Sequence, residues 1–297
     1  MVKIRSNHIV AVVGGLTLVW ILRVVLFPGP RKETEEEKFE RSRMIFSAAF
    51  KALTLSLPPP SFSSSECGDA LEHIAAAVHG EHAPILSMLQ LAFIGFFVQQ
   101  QKLQLSLKRE SAVLPSFLVW GLGFDSILWR KLNCEGRTVF VEHNAHWAWE
   151  ARKNGDLADA DVHIVAYKYN MGEESVSLFF DRPEKMVVSP EVDAMCFDTV
   201  LVDAPPGNDP KVDPGRMESL YYSAEMARDC VKRGAKDSVY LFVHDLQREL
   251  ERRLVDTFLV PSRGFEFLQR VEAPGGILEG YMVSRRTLQK AGMATSI

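Results

Sequence analysis

Polar residues follow apolar segments of the sequence at the points where strands would end. Asp203 follows Thr199–Val202, and His244 and Asp245 follow Val239–Val243. A hydroxyl is a poor nucleophile until it loses its proton, and a histidine or a carboxylate can accept that proton near neutral pH. Two carboxylates and a histidine could instead hold a divalent cation that acidifies the hydroxyl, or His244 could be purely structural. The sequence leaves these alternatives open.

A pair of glycines and an acid have the spacing expected for a cofactor that contains adenosine. Gly121 and Gly123 follow Phe117–Trp120 and would let the backbone approach a ligand closely. Glu142 ends the next apolar segment about 20 residues further on, where an acid can hydrogen-bond both ribose hydroxyls. Ser126 stands where a dinucleotide fingerprint has its third glycine. The glycine pair alone is therefore equally consistent with a structural turn.

An arginine and an aromatic segment are weaker candidates for substrate binding. Arg216 precedes a predicted helix and could bind a substrate carboxylate through two guanidinium nitrogens, but an ion pair that fixes its own loop explains it equally well. The sequence EHNAHWAW contains four residues that could stack on a sugar, namely His143, His146, Trp147 and Trp149. They fall at the start of a predicted helix, and we expect most of them to pack inside the protein.

Predicted strands and helices alternate from residue 115 onward. The predicted strands are Phe117–Trp120, Thr138–Val141, Val162–Ala166, Thr199–Val202 and Val239–Val243. The predicted helices between them are Ser126–Leu132, Ala145–Asn154, Gly215–Arg233 and Gln247–Phe258. This alternation predicts a doubly wound parallel sheet with helices on both faces, and ligands bind beyond the carboxyl ends of such strands.

The end of the chain follows a different pattern. Phe265–Val271 and Leu278–Ser284 flank the turn-rich sequence APGG, which predicts an antiparallel hairpin. A parallel sheet closed by such a hairpin is the plan of class I S-adenosylmethionine (SAM) methyltransferases, whereas an NAD-binding Rossmann domain more often adds another crossover helix. The predicted fold class is therefore α/β, a Rossmann-like class I SAM methyltransferase sheet with a C-terminal antiparallel hairpin.

The segment after the fourth predicted strand is stiff. It reads Asp203-Ala-Pro-Pro-Gly207, in which two prolines restrict the backbone. Rigid positioning suits methyl transfer, which requires in-line geometry. Amino-methyltransferases often use an Asp/Asn-Pro-Pro-aromatic segment here. Because Ala204 intervenes and Gly207 replaces the aromatic residue, the sequence disfavours methylation of nitrogen.

The N-terminus has the character of a membrane anchor. Ile9–Phe27 contains one charge, Arg23, and is long enough to cross a bilayer as a helix. We predict an uncleaved transmembrane signal anchor, with a cleaved secretory signal as the alternative. Residues 1–8 would be a short cytosolic head. A short head before a long folded region favours a type II orientation, with the catalytic domain in the lumen.

The rest of the chain divides by composition. Residues 28–66 are predicted as a charged and Pro/Ser-rich stalk, residues 67–111 as a helical extension, and residues 112–290 as the methyltransferase-like domain. Within the extension, the apolar segment Ala83–Val98 is short and contains polar residues, so we expect a buried or lipid-facing helix rather than a second span.

The overall composition excludes several classes of protein. The chain has 297 residues, of which 47% are hydrophobic and 24% charged, as expected of a folded protein. Its net charge of −4 argues against nucleic-acid binding. The four cysteines form no CxxC pair, which argues against a structural zinc site. A lumenal location would permit disulfides, but the sequence does not show which cysteines pair.

Five motifs in sequence order resemble one plant family. They are Phe117–Ser126 (FLVWGLGFDS), Gly136–Glu142 (GRTVFVE), Val202–Gly207 (VDAPPG), Pro214–Met217 (PGRM) and Val243–Asp245 (VHD). This set resembles the polysaccharide-biosynthesis (DUF579) family, which includes glucuronoxylan 4-O-methyltransferases and the irregular-xylem-type xylan proteins. The resemblance covers about residues 112–285.

The resemblance implies a SAM-dependent transfer of a methyl group to the 4-hydroxyl of glucuronic acid side chains on xylan, or on arabinogalactan in related members. It implies that Gly121, Gly123 and Asp125 line the SAM pocket, and that the protein lies in the Golgi membrane with a lumenal domain. The GLGFD sequence and Asp203 resemble the methyltransferase branch. The sequence departs from the family at two places: His143 replaces a usual second acid, and Lys168–Phe197, a region that would shape substrate access, is shortened.

Two other classes of function remain as alternatives. A non-catalytic Golgi factor for xylan synthesis would keep the sheet but would have no physical need for the two glycines and Glu142. A nicotinamide enzyme is disfavoured by Ser126 and by the terminal hairpin.

Overall fold

The computed structural model of the chain describes residues 85–107, 114–153 and 155–293, together with residues 73, 74 and 77. The predicted head, anchor and stalk, and most of the first half of the helical extension, lie outside the described residues. Within the described residues, no helix combines the length and the apolar character that crossing a bilayer requires.

Seven strands form one mixed sheet. They are β1 (Ser116–Trp120), β2 (Arg137–Glu142), β3 (Asp161–Ile164), β4 (Thr199–Val202), β5 (Ser238–Val243), β6 (Phe265–Ala273) and β7 (Gly276–Ser284). The order across the sheet is β3-β2-β1-β4-β5-β7-β6. Strands β1 to β5 are parallel, β7 runs antiparallel to β5, and β6 and β7 pair as an antiparallel hairpin. The parallel sheet and its closing hairpin are therefore confirmed.

Helices cover both faces of this sheet. They are α1 (Met88–Leu107), α2 (Ser126–Leu132), α3 (Ala145–Arg152), α4 (Glu173–Asp181), α5 (Pro190–Ala194), α6 (Met217–Lys232), α7 (Glu249–Phe258) and α8 (Arg285–Lys290). The four helices predicted between strands correspond to α2, α3, α6 and α7. Helices α4 and α5 lie in the segment from Lys168 to Phe197, for which the sequence predicted no elements.

The central strands supply two hydrophobic cores because successive side chains point to opposite faces of a sheet. In β4, Val200 and Val202 belong to the core under α6 and α7, whereas Leu201 belongs to the core under α1 and α2. Every residue of β1 and β4 is buried, as expected of strands covered on both faces.

Helix α1 is a buried helix, as we expected of the apolar segment Ala83–Val98. Its side chains Leu91, Ile94 and Val98 are at most 2% exposed and belong to the second core. The ring of Phe93 meets the ring of Phe242 on β5 edge to face, with 5.4 Å between their centres. The predicted helical extension thus shares a core with the predicted methyltransferase-like region.

A disulfide fixes the segment before β4 to helix α6. Cys196 and Cys230 are joined, which gives a pairing that the sequence could not supply. The bond closes a loop over 34 positions of the chain. Disulfides of this kind form and persist in oxidising compartments and are rare in the cytosol.

Candidate active site

A cavity of about 310 Å³ opens at the carboxyl ends of β1, β2 and β4. Its walls include the turn after β1, Glu142 at the end of β2, and Asp203 and Ala204 after β4. Ligands bind at this edge of open α/β sheets. The structure therefore brings together Gly121, Gly123, Asp125, Glu142 and Asp203, which the sequence had singled out, around one cavity.

The turn after β1 needs glycine at its first position. Gly121 has φ +104°, and a Cβ atom there would lie 2.6 Å from the Cβ of Ala204. The turn thus passes directly against the stiff segment after β4. The N–H of Gly123 donates to the hydroxyl of Ser126 at 2.9 Å. Ser126, which replaces the third glycine of a dinucleotide fingerprint, therefore stabilises this turn.

Glu142 is a buried carboxylate with donors on both oxygens. Its Oε2 accepts from the N–H of Leu122 at 3.0 Å, and its Oε1 accepts from the N–H groups of His143 and Asn144. The Nδ1 atom of His143 also lies 2.8 Å from Oε1. Burial alone would raise the pKa of Glu142, but hydrogen bonds from His143, Asn144 and Leu122 outweigh burial and lower it. The side chain is therefore anionic at the wall of the cavity.

Asp125 stands at the start of α2 and lines the same cavity. Burial, and next the negative charge of Asp203, raise its pKa to about 7. The cavity therefore contains one carboxyl group that changes charge near neutral pH, which makes it a candidate for contact with a cationic ligand.

Asp203 faces the cavity, and two buried side chains donate hydrogen bonds to its carboxylate. Its Oδ1 accepts hydrogen bonds from Arg216 Nη2 at 3.0 Å and His244 Nδ1 at 2.8 Å. The side chain keeps 22% of its surface exposed, and the residue lines the cavity. Of the three predicted catalytic residues, Asp203 is the one placed to meet a bound substrate.

His244 lies behind Asp203 and is not among the residues that line the cavity. Its side chain is 1% exposed, and its Nε2 is buried without a hydrogen-bond partner among the residues that the structure describes. A Cβ atom on Gly276 of the β6–β7 turn would lie 3.1 Å from this nitrogen. In this geometry His244 orients Asp203 and does not itself contact a ligand in the cavity.

Arg216 is buried, and both of its Nη atoms donate hydrogen bonds within its own chain. Its Nη2 donates to both the carboxylate and the carbonyl of Asp203 and, at 2.7 Å, to Asp245 Oδ2. Its Nη1 donates to the carbonyl of His244. Of the two roles that the sequence left open for Arg216, the structure favours the internal ion pair over a contact with a substrate carboxylate.

A divalent cation does not fit the predicted ligand set in this arrangement. The ligand atoms of Asp203, His244 and Asp245 lie within 4.8 Å of one another, and their chemical types would suit a metal. However, the guanidinium of Arg216 already bridges the two carboxylates, and Arg248 Nη1 lies 3.1 Å from Asp245 Oδ2. The negative charge of this cluster is thus neutralised by arginine side chains.

Comparison with known proteins places these residues in a family. The model of the IRX15/IRX15L/GXM family matches residues 101–192 and 188–271, together more than half of the chain. The chain belongs to the IRX15/IRX15L/GXM family. The five motifs that predicted this relationship contain Gly121, Glu142, Asp203, Arg216 and His244, all placed at or directly behind the cavity.

Curated relatives of this family come from Arabidopsis thaliana. Glucuronoxylan 4-O-methyltransferase 1 is 31% identical over 159 residues, which cover 48% of this chain and 55% of the relative. Arabinogalactan O-methyltransferase 2 is 31% identical over 180 residues, covering 54% and 60%. Protein IRREGULAR XYLEM 15 is 32% identical over 168 residues, covering 51% of each chain. The chain thus spans little more than half the length of these relatives.

Solved structures are similar to this chain only at low identity and low TM-score. One is the N-terminal domain of human METTL16 in complex with SAH, which is 10% identical with a TM-score of 0.38, covering 69% of this chain and 73% of that chain.

The sequence reading of this IRX15/IRX15L/GXM family member missed the apolar rim of the cavity. Ile85, Phe124 and Trp147 are 77%, 54% and 36% exposed, and all three line the cavity. The Trp147 indole donates to the carbonyl of Leu122. The expectation that most of the EHNAHWAW side chains pack inside was wrong, because His146, Trp147 and Trp149 are exposed. No sequence signal separates a rim aromatic from a core aromatic.

Proposed function

We propose that this protein is a SAM-dependent O-methyltransferase that acts on the 4-hydroxyl of glucuronic acid side chains of a cell-wall polysaccharide. The observation that carries the proposal is the cavity in which the glycine turn, the anionic Glu142 and the partly exposed Asp203 meet. Membership of a family with O-methyltransferases among its named relatives supports the same reaction class.

The residues at and behind the cavity would have different roles in the reaction. SAM, when bound, supplies a methyl group on a positively charged sulfur. Glu142 would hold the ribose hydroxyls, and the turn after β1 would let the backbone approach the cofactor. Asp203 would accept the hydroxyl proton of the sugar as the new O–C bond forms and the methyl–sulfur bond breaks, which would leave S-adenosylhomocysteine. Arg216 and His244 keep the Asp203 carboxylate in one orientation through hydrogen bonds to its Oδ1.

The acceptor and the compartment complete the proposal. Relatives are named for glucuronoxylan and arabinogalactan, so we propose xylan or arabinogalactan bearing glucuronic acid as the acceptor. We further propose a type II Golgi membrane protein whose catalytic region is lumenal, which the Cys196–Cys230 disulfide supports. Protease digestion of intact Golgi vesicles tests the orientation, since a cytosolic catalytic region would be degraded.

Calorimetric titration with S-adenosylhomocysteine (SAH) tests the cofactor site. We expect Glu142→Gln to raise the Kd about 10- to 150-fold, because a hydrogen bond to a charged group is worth about 1.5–3 kcal/mol. Glu218→Gln is the matched control. Glu218 is a buried glutamate that accepts from the N–H groups of Lys168 and Tyr169 but does not line the cavity.

The outcome separates two functions. The proposal of a methyltransferase is supported if the wild-type protein binds SAH, E142Q binds it more weakly, and E218Q binds it as the wild type does. Failure of a folded wild-type protein to bind SAH or SAM would overturn the proposal. It would favour the alternative function, a non-catalytic Golgi factor for xylan synthesis.

Cofactor binding should also depend on pH through Asp125. Its pKa of about 7 means that it is anionic above pH 7 and neutral below. Because SAM is a cation, we expect its Kd to rise roughly tenfold per pH unit below pH 7 and to level off above it. Calorimetry between pH 5.5 and 7.5 measures this slope. Asp125→Asn should flatten it, and an unchanged slope in this variant would exclude Asp125 as its source.

A further inference from the structure

The segment before α1 is attached to the β6–β7 turn by one buried side chain. Gln90 is fully buried. Its Oε1 accepts from the N–H and the hydroxyl of Ser87, and its Nε2 donates to the carbonyls of Gly276 at 2.9 Å and Val271 at 3.4 Å. The turn also approaches closely, since a Cβ atom on Gly275 would lie 2.1 Å from the carbonyl oxygen of Ile85.

The same turn packs on the imidazole behind the proposed base. Gly276 has φ +121°, and a Cβ atom there would lie 3.1 Å from His244 Nε2. The turn is further fixed by Gln247, which accepts from the N–H of Ile277 and donates to Asp245. The other ring nitrogen of His244 holds Asp203 at 2.8 Å. A continuous set of contacts therefore joins Gln90, the turn, His244 and Asp203.

We propose that Gln90 is a positioning residue for methyl transfer. By holding the β6–β7 turn against His244, Gln90 keeps the imidazole in the orientation in which it fixes the Asp203 carboxylate. The same segment supplies Ile85 to the cavity rim. Residues that the sequence assigned to an extension thus complete the active site. This inference rests on the proposed function of Asp203.

The test compares two glutamines of the same helix. Gln90→Leu removes the contact with the turn. Gln99→Leu is the matched control, because Gln99 Nε2 also donates from α1 to a backbone carbonyl, that of Leu132 at the end of α2, away from the cavity. Kinetics of methyl transfer to glucuronoxylan and calorimetry with SAH are measured for both variants. If Q90L does not fold, the unbranched Gln90→Met takes its place.

We expect Q90L to lower kcat on the order of tenfold, with the KM for SAM and the Kd for SAH within about twofold of wild type. Q99L should keep kcat within about twofold of wild type, even if Q90L and Q99L lower Tm by the same amount. The effect of Q90L should also disappear in a His244→Leu background, because residues that act through one another are not additive.

Three results would overturn the inference. They are equal losses of kcat in Q90L and Q99L, a Q90L effect that changes KM alone, and a full Q90L effect in the H244L background. Wild-type protein that binds no SAH refutes the proposed function instead, so the two failures are distinguishable.

Discussion

Replacing Asp203 by asparagine should lower the turnover of methyl transfer by about 10²- to 10⁴-fold, the usual contribution of general base catalysis. Binding of SAH should stay within a few-fold of wild type. The amide keeps an Oδ1 that can accept from Arg216 and His244, so the surrounding geometry survives. It cannot take up the proton of a sugar hydroxyl. The measurements are kcat with a glucuronoxylan acceptor and calorimetry with SAH.

Asp245→Asn is the matched control for this experiment. Asp245 shares Arg216 with Asp203, at 2.7 Å from its Nη2, but it does not line the cavity. We therefore expect D245N to cost stability while keeping turnover per folded molecule within about tenfold of wild type. Full turnover in D203N would show that Asp203 is not the base. Equal losses in D203N and D245N would assign the effect to the ion-pair cluster.

The sequence predicted the sheet because its central strands are short apolar segments that are easy to recognise. After a polar first residue, strands β1, β4 and β5 are uninterrupted apolar segments, as expected of strands buried on both faces. Parallel strands bring their carboxyl ends to one edge, so residues such as Gly121, Glu142 and Asp203 could be placed around one cavity without coordinates. The topology of the hairpin followed from its short turn in the same way.

The direction in which each side chain points could not be predicted from the sequence. His244 and Asp203 both follow apolar strands, yet one is 1% exposed and the other 22% exposed. The imidazole lies close to the distant hairpin, since a Cβ atom on Gly276 would be 3.1 Å from its Nε2. Asp245 turns back toward Arg216 with φ +63°, a conformation that aspartate tolerates better than most residues. Such choices depend on tertiary contacts, and the same holds for the role of Gln90.

Replacing Arg216 by methionine should lower the free energy of unfolding by about 3–5 kcal/mol, the cost of removing one partner from a buried ion pair. Arg216 is buried, and it is the group that neutralises both Asp203 and Asp245. Methionine fills a similar volume but leaves Asp203 without an arginine partner and Asp245 with only the more exposed Arg248. Denaturant unfolding, followed by the fluorescence of the buried Trp120 and Trp129, measures the loss.

The matched control is Arg248→Met, on the other side of the same cluster. Arg248 contacts Asp245 Oδ2 at 3.1 Å, but its side chain is 28% exposed. Ion pairs with access to solvent contribute about 0–1 kcal/mol, so R248M should unfold close to wild type. The contrast follows from burial and from the number of partners, since both arginines pair with Asp245 but only Arg216 also pairs with Asp203.

R216M also decides between the two roles that the sequence allowed for this arginine. If Arg216 bound the carboxylate of glucuronic acid, its loss would raise the KM for the acceptor and leave unfolding unchanged. If it is the internal cation of the Asp203–Asp245 pair, the protein becomes less stable, and the turnover that remains falls because Asp203 loses a hydrogen bond that orients it. Four donations to its own chain, from a buried side chain, make the second result the expected one.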